Sequence, residues 1–229
     1  MIRLYLTVEG QTEAEFAKNV LRPHLLNHGI HLAGARFTGL HRRRRGRIPQ
    51  GGILGTFRHA LADMKTWMRD DRSSDARFSM MVDLYGLPSD VPGRDEALRK
   101  STGAEQAMAL ETALLKEMGD SRFIPYYQVY EFEALVLTEP AQLGEVYEIP
   151  SGRLEALRKA CNRYEGPEEI NHGEHSHPKA RIKHVVPEYD ENVAGPLIAG
   201  EIGLGVLRQA CPHFGDWLHR LERLGQAMD

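Results

Sequence analysis

Short apolar runs that end in an acidic residue, each followed by a longer helical pattern, constrain this chain more than any other feature. Residues 2–8 read as a buried strand stopped by Glu9-Gly10, and residues 78–82 form a run that is apolar but for Ser79 and ends in Asp83. Residues 123–130 read as a further strand, with Glu131 and Glu133 directly after it, and a weaker strand is expected at 35–40. Between them lie helical periods. Thr12 with Glu15 has the spacing of a capping box, ahead of the apolar stripe Phe16, Val20, Leu21 and Leu25, which Pro23 should kink or end. Leu54, Phe57, Leu61, Met64, Trp67 and Met68 mark a long amphipathic helix. Residues 105–118 read as another, and one more begins at about Glu133. Strand–helix alternation of this kind predicts an α/β fold: a mostly parallel sheet with helices on both faces.

Beyond residue 150 the strands stop. Helices are expected at 154–161, 193–209 and 213–228, the last with Phe214, Trp217, Leu218, Leu221 and Leu224 on one face, and a polar loop at 166–178. Without a flexible linker or an internal repeat, the expected organisation is an α/β core over 1–150 and a helical extension over 151–229 packed on it. A chain of 229 residues buries roughly 70% of its unfolded surface, so it needs no staples. Its two cysteines, Cys161 and Cys211, are too few for a disulfide framework and read as buried thiols. No signal-like segment and no apolar run of about 18 residues is present, so a soluble, cytoplasmic protein away from membranes is expected.

Glu9, Asp83, Glu131 and Glu133 share one structural address, the carboxyl ends of strands, where open parallel sheets bind ligands. Carboxylates converging there repel unless a hard cation neutralises them. Mg²⁺ or Mn²⁺ suits such a site because it takes a few carboxylates and keeps water for a substrate phosphate. Acids after strands also cap the following helix, the role assigned to Glu13 and Glu15, and spacing leaves both readings open.

The net charge of −3 excludes a uniformly basic coat for nucleic acid. Yet Arg36, Arg42, Arg43, Arg44, Arg45 and Arg47 place six positive charges within twelve residues. Guanidiniums donate paired hydrogen bonds to phosphate; the alternative is a solvated surface run. No aromatic residue interleaves the run from Arg42 to Arg47, so base stacking is not indicated there. Lys179, Arg181 and Lys183 form a smaller basic group. His172, His175 and His177 resemble a zinc cluster on paper, but a short polar loop without nearby cysteines rarely fixes tetrahedral geometry, and solvated loop histidines are expected. No phosphate-loop lysine motif, complete dinucleotide fingerprint or nucleophile elbow occurs.

Val8-Glu9-Gly10-Gln11-Thr12-Glu13 resembles the first signature of Toprim-like proteins. Asp83-Leu84-Tyr85-Gly86-Leu87-Pro88 and Tyr130-Glu131-Phe132-Glu133-Ala134-Leu135 are similar to further blocks of domain-of-unknown-function family 4276, commonly regarded as Toprim-like. Pro167-Glu168-Glu169-Ile170-Asn171, Pro178-Lys179-Ala180-Arg181-Ile182 and Ile202-Gly203-Leu204 with Cys211-Pro212 extend the resemblance over nearly the whole chain. It implies a Toprim-like, Rossmann-like core and Mg²⁺-dependent making or breaking of phosphodiester bonds in DNA or RNA. Glu9 would be the acid/base or a metal ligand, Asp83 the first acid of an aspartate pair, and Lys179 and Arg181 phosphate contacts. Tyr85 stands where the second aspartate is usual and Tyr130 where a histidine is usual, so Glu131 or Glu133 would have to supply the missing carboxylate. The resemblance further implies a partner ATPase and a role in phage defence. The competing reading is a catalytically weak module that binds nucleic acid or the ATPase.

Overall fold

The computed structural model describes residues 1–37, 57–170, 173 and 175–226. The arginine run at 42–47, Leu54 and His172 lie outside the described residues. The chain forms β1 (Ile2–Val8), α1 (Gln11–Phe16), a π-helical turn (Ala17–Leu21), α2 (Arg22–Leu26), β2 (Ile30–Phe37), α3 (Phe57–Asp70) and β3 (Ala76–Asp83). There follow α4 (Arg94–Ala97), α5 (Gly103–Met118), β4 (Phe123–Ile124), β5 (Tyr127–Gln128), α6 (Glu133–Val136) and α7 (Leu143–Val146). The C-terminal part consists of α8 (Ser151–Cys161), α9 (Pro178–Val185), α10 (Ala194–Ile202), α11 (Leu204–Ala210) and α12 (Pro212–Glu222).

The strands pair in parallel in the order β2-β1-β3-β4, with β5 also on β3. The chain leaves β1 towards one edge and returns past it to build the other side, so the topological switch point lies between β1 and β3. Successive side chains of a strand point to opposite faces, and β3 shows it. Phe78, Met80 and Val82 pack with Trp67 of α3 and Leu110 of α5, whereas Met81 joins the core containing Leu4, Leu6, Phe16 and Trp217. Both faces of the sheet are therefore covered, as the alternating pattern requires. The C-terminal helices belong to the β1 face. Trp217 Nε1 donates to Ser79 Oγ at 3.0 Å, Ser79 donates to the Ile124 carbonyl at 2.6 Å, and the indole stacks on Tyr126 at 4.4 Å.

Several boundaries differ from the sequence expectation for local physical reasons. Helix α1 starts at Gln11 because Glu13, not Glu15, reaches back to the Gly10 amide at 2.8 Å. Thr12 is therefore inside the first turn, and its hydroxyl donates to the Glu191 carbonyl at 3.2 Å. Glu15 is spent on Gln11, Lys18 and Asn19. Pro23 does not end the helical run: the wider π turn just before it accommodates a residue lacking an N–H. Strand β2 begins at Ile30 rather than residue 35, with Ile30 and Leu32 buried and His31 and Ala33 exposed. The expected fourth strand is split in two around Pro125, which has no N–H for a ladder bond. Residues 193–209 break into α10 and α11 at Gly203, whose φ of 82° side-chain-bearing residues rarely adopt. Cys161 and Cys211 are buried free thiols. Among the described residues no helix is long and apolar enough to cross a membrane.

A candidate acidic site at the carboxyl ends of β1 and β3

Glu9 and Asp83 follow or end the two strands that flank the switch point, where the crevice of an open parallel sheet forms. The Glu9 amide donates to the Met81 carbonyl at 3.2 Å, and the Asp83 amide donates to Glu9 Oε2 at 3.0 Å. The two carboxylates are thereby held side by side. Glu13 arrives from the first turn of α1 and is buried. Glu131 and Glu133 arrive from the segment after β5, also buried.

That segment is positioned by a costly backbone conformation. Tyr130 has φ 61°, uncommon for a bulky residue. Its carbonyl accepts the Tyr85 amide at 2.8 Å, and its ring lies so close to Gly103 that a Cβ there would sit 2.8 Å from it. Packing thus over-determines the strained residue, and the reversal it makes directs Glu131 and Glu133 under the strand ends.

The charges of this cluster govern one another. Burial, and next the charge of Glu13, push the Glu9 carboxyl up to about 7. Burial raises Asp83 well above the usual carboxylate range, with Glu9, Glu13 and Glu133 adding repulsion. Burial likewise lifts Glu133 to about 8, although nearby Lys179 opposes it. Glu13 is raised mainly by burial. Asp83 Oδ1 is buried with no hydrogen-bond partner among the described residues. Such an atom is expensive to leave unsatisfied.

Lys179 is the cation these acids gather around. Its Nζ lies 2.5 Å from Glu191 Oε2 and 3.9 Å from Glu133 Oε2. Burial works against its charge, but Glu133 and Glu191 outweigh it and raise the ammonium's pKa. Arg181, the other expected phosphate contact of this block, gives its guanidinium to the Ser176 carbonyl and the Tyr164 hydroxyl. Both basic residues are thus engaged within the fold. The only described group in which three or more potential ligand atoms lie within 4.8 Å of one another is His24, His28 and Glu222, away from the strand ends. Glu9, Asp83, Glu131 and Glu133 are neighbours without forming such a trio.

Glu131 has a second occupation. Its Oε2 lies 2.8 Å from His177 Nδ1 and accepts from the Lys179 amide at 3.1 Å, so it caps α9, the helix that carries Lys179. His177 is itself the N-cap residue of α9, its Nδ1 lying 3.4 Å from the Ala180 amide. The His177 ring stacks on Tyr85 at 5.2 Å, and Tyr85 is exposed at the rim. His177 is accordingly a partner of Glu131. Glu131→Ala is expected to cost about 1 kcal/mol of stability through the lost cap. It should also accelerate amide exchange in the first turn of α9, readable by denaturant titration and hydrogen exchange.

Glu191, Tyr189 and the capping role of Glu131 were not visible in sequence order. Tyr189 is buried against Glu133, and burial first, then Glu133 and Glu191, raises its hydroxyl pKa. No local motif marks these residues, because their partners lie far away along the chain. A cleft of about 1130 Å³ lies elsewhere, between α1–α2 and α10–α11, and none of Glu9, Glu13, Asp83, Glu131 and Glu133 lines it.

No curated protein and no solved structure matches the chain. The family described as Domain of unknown function (DUF4276) matches residues 8–222, which spans both strand-end acids, the α9 block and α12. The chain belongs to the DUF4276 family.

Proposed function

We propose that the protein is a Toprim-like, Mg²⁺- or Mn²⁺-dependent phosphodiesterase or nuclease acting on DNA or RNA at the crevice between β1 and β3. The observation that carries this reading is the buried, unpartnered Asp83 Oδ1 amid like charges at the switch point. A set of carboxylate oxygens with an unmet demand for positive charge fits a hard divalent cation. Glu9, Asp83 and Glu133 would hold it, with Glu131 reachable if it releases α9. Bound there, such an ion would polarise a phosphoryl oxygen and lower the pKa of water. Glu9, pushed up to about 7, is tuned to accept or give a proton near neutrality. Lys179 brings a positive charge to the same crevice, where a substrate phosphate would meet it. Arg42, Arg43, Arg44, Arg45 and Arg47 are assigned to backbone phosphates on sequence grounds. An ATPase partner and a role in phage defence belong to the same proposal and rest on the resemblance alone.

A second reading, a catalytically weak binding module, draws support from Lys179. Its ion pairs with Glu191 and Glu133 already place a cation in the cluster, and Tyr85 replaces an expected acid. The two readings separate in an assay with labelled single- and double-stranded DNA and RNA, with Mg²⁺, Mn²⁺ or chelator. Divalent-dependent cleavage, abolished by chelator, is the expected result. Retention of nucleic acid without cleavage selects the binding module, and neither binding nor cleavage removes both.

A further inference from the structure

Glu222, at the end of α12, is a buried carboxylate ringed by nitrogen donors. His24 Nε2 lies 2.7 Å from its Oε1 and His28 Nε2 3.9 Å, while His219 Nδ1 lies 3.9 Å from Oε2. His24 and His28 are four residues apart. Turn bonds from the Asn27 amide to the His24 carbonyl and from the His28 amide to the Leu25 carbonyl continue the coil past α2. Both imidazoles therefore stay on one side, with ring centroids 4.9 Å apart. The buried stripe Phe214, Trp217, Leu218 and Leu221 seats α12 in the core and delivers Glu222 to them.

We propose that His24, His28 and Glu222 form a binding site for a zinc-class transition ion, separate from the strand-end acids. Two imidazoles and one carboxylate are a donor set that suits Zn²⁺, whereas Mg²⁺ prefers oxygen alone. Zinc bonds of roughly 2.0–2.1 Å need tetrahedral donors roughly 3.3 Å apart. The three ligand atoms already lie within 4.8 Å of one another, so modest side-chain rotation, chiefly of His28, completes the set.

Arg208 sets the affinity. Its guanidinium lies 2.5 Å from Glu222 Oε1 and is the resident counter-charge. An entering ion replaces the proton shared by His24 and Glu222 and must either displace Arg208 from Oε1 or use Oε2. His24 and Arg208 also line the large cleft, so a fourth coordination position is within reach of a water or ligand group entering there.

The test is competition for Zn²⁺ between the full chain and a chromophoric chelator near pH 7.5. The parent protein is expected to bind one equivalent that His28→Ala weakens at least about tenfold and that Arg208→Gln tightens. Glu133→Gln in the acidic cluster should leave it unchanged. His28 is about one-third exposed, so its truncation spares the fold. Cobalt(II) in place of zinc should give visible absorption bands that vanish in His28→Ala. The proposal is overturned by an absence of zinc binding at micromolar concentrations. It is equally overturned by an affinity indifferent to His28→Ala and Arg208→Gln, or by one that follows Glu133→Gln instead.

Discussion

Asp83→Asn and Glu9→Gln are each expected to lower the proposed divalent-dependent phosphodiester cleavage by about 10²–10⁴-fold while leaving the fold as stable as the parent. The two effects separate because burial and neighbouring acids favour the uncharged form of Asp83 in the absence of a cation. Asparagine reproduces the shape and neutrality of that form and removes only its capacity to become an anion. Glutamine at position 9 does the same for a group poised at about 7 and still accepts the Asp83 amide bond. Because a cation must displace these protons, the Mg²⁺ concentration for half-maximal rate should fall as pH rises from about 6 to about 9. Rate measurements with parallel thermal melts decide the matter. Full activity in both variants would remove Glu9 and Asp83 from the chemistry.

Glu133→Gln should make the protein more stable at pH 8 without divalent ions. The folded-state pKa of Glu133 is raised from 4.5 to about 8, so the folded state holds a proton that the unfolded chain has released. By linkage, stability falls as pH rises through that interval and levels off above it. At about 1.4 kcal/mol per pKa unit, the loss is on the order of a few kcal/mol, with Lys179 already counted among the influences on Glu133. Glutamine removes this titration. The variant's melting temperature should therefore vary less between pH 5 and pH 8, and at pH 8 should exceed the parent's by about 2–4 °C per kcal/mol recovered. Mg²⁺ should raise the melting point of the parent at pH 8 more than that of the variant. Equal pH slopes in the two proteins would show that Glu133 ionises freely.

The parts of the fold legible in sequence were those written locally. The runs ending at Glu9 and Asp83 identified β1 and β3, and the helical period over 105–118 identified α5, which the structure opens two residues earlier at the Thr102–Glu105 capping box. Elements stabilised from a distance were not legible. Helix α9 carries only Ile182 and Val185 as large buried apolar residues beyond Pro178, and its N-cap His177 is held by Glu131, 46 positions away, which also accepts the Lys179 amide. Lys179 reads as one of three basic residues on a polar stretch, and only the 190–192 turn folding over α1 makes it a half-buried counter-ion. The same holds for the site. That acids stand at strand ends could be read from order along the chain, whereas their mutual repulsion and the unpartnered Asp83 oxygen depend on burial.

The two tryptophans lie on opposite faces of the sheet, Trp67 with α3 and Trp217 with α12. Each layer of the molecule consequently carries its own intrinsic fluorophore. Trp217 is hydrogen-bonded to a β3 residue four positions before Asp83, so its emission reports on the seating of the C-terminal helices beneath the acidic crevice. Trp67 reports on the opposite layer, so replacing either tryptophan by phenylalanine leaves the other to follow its own half of the molecule.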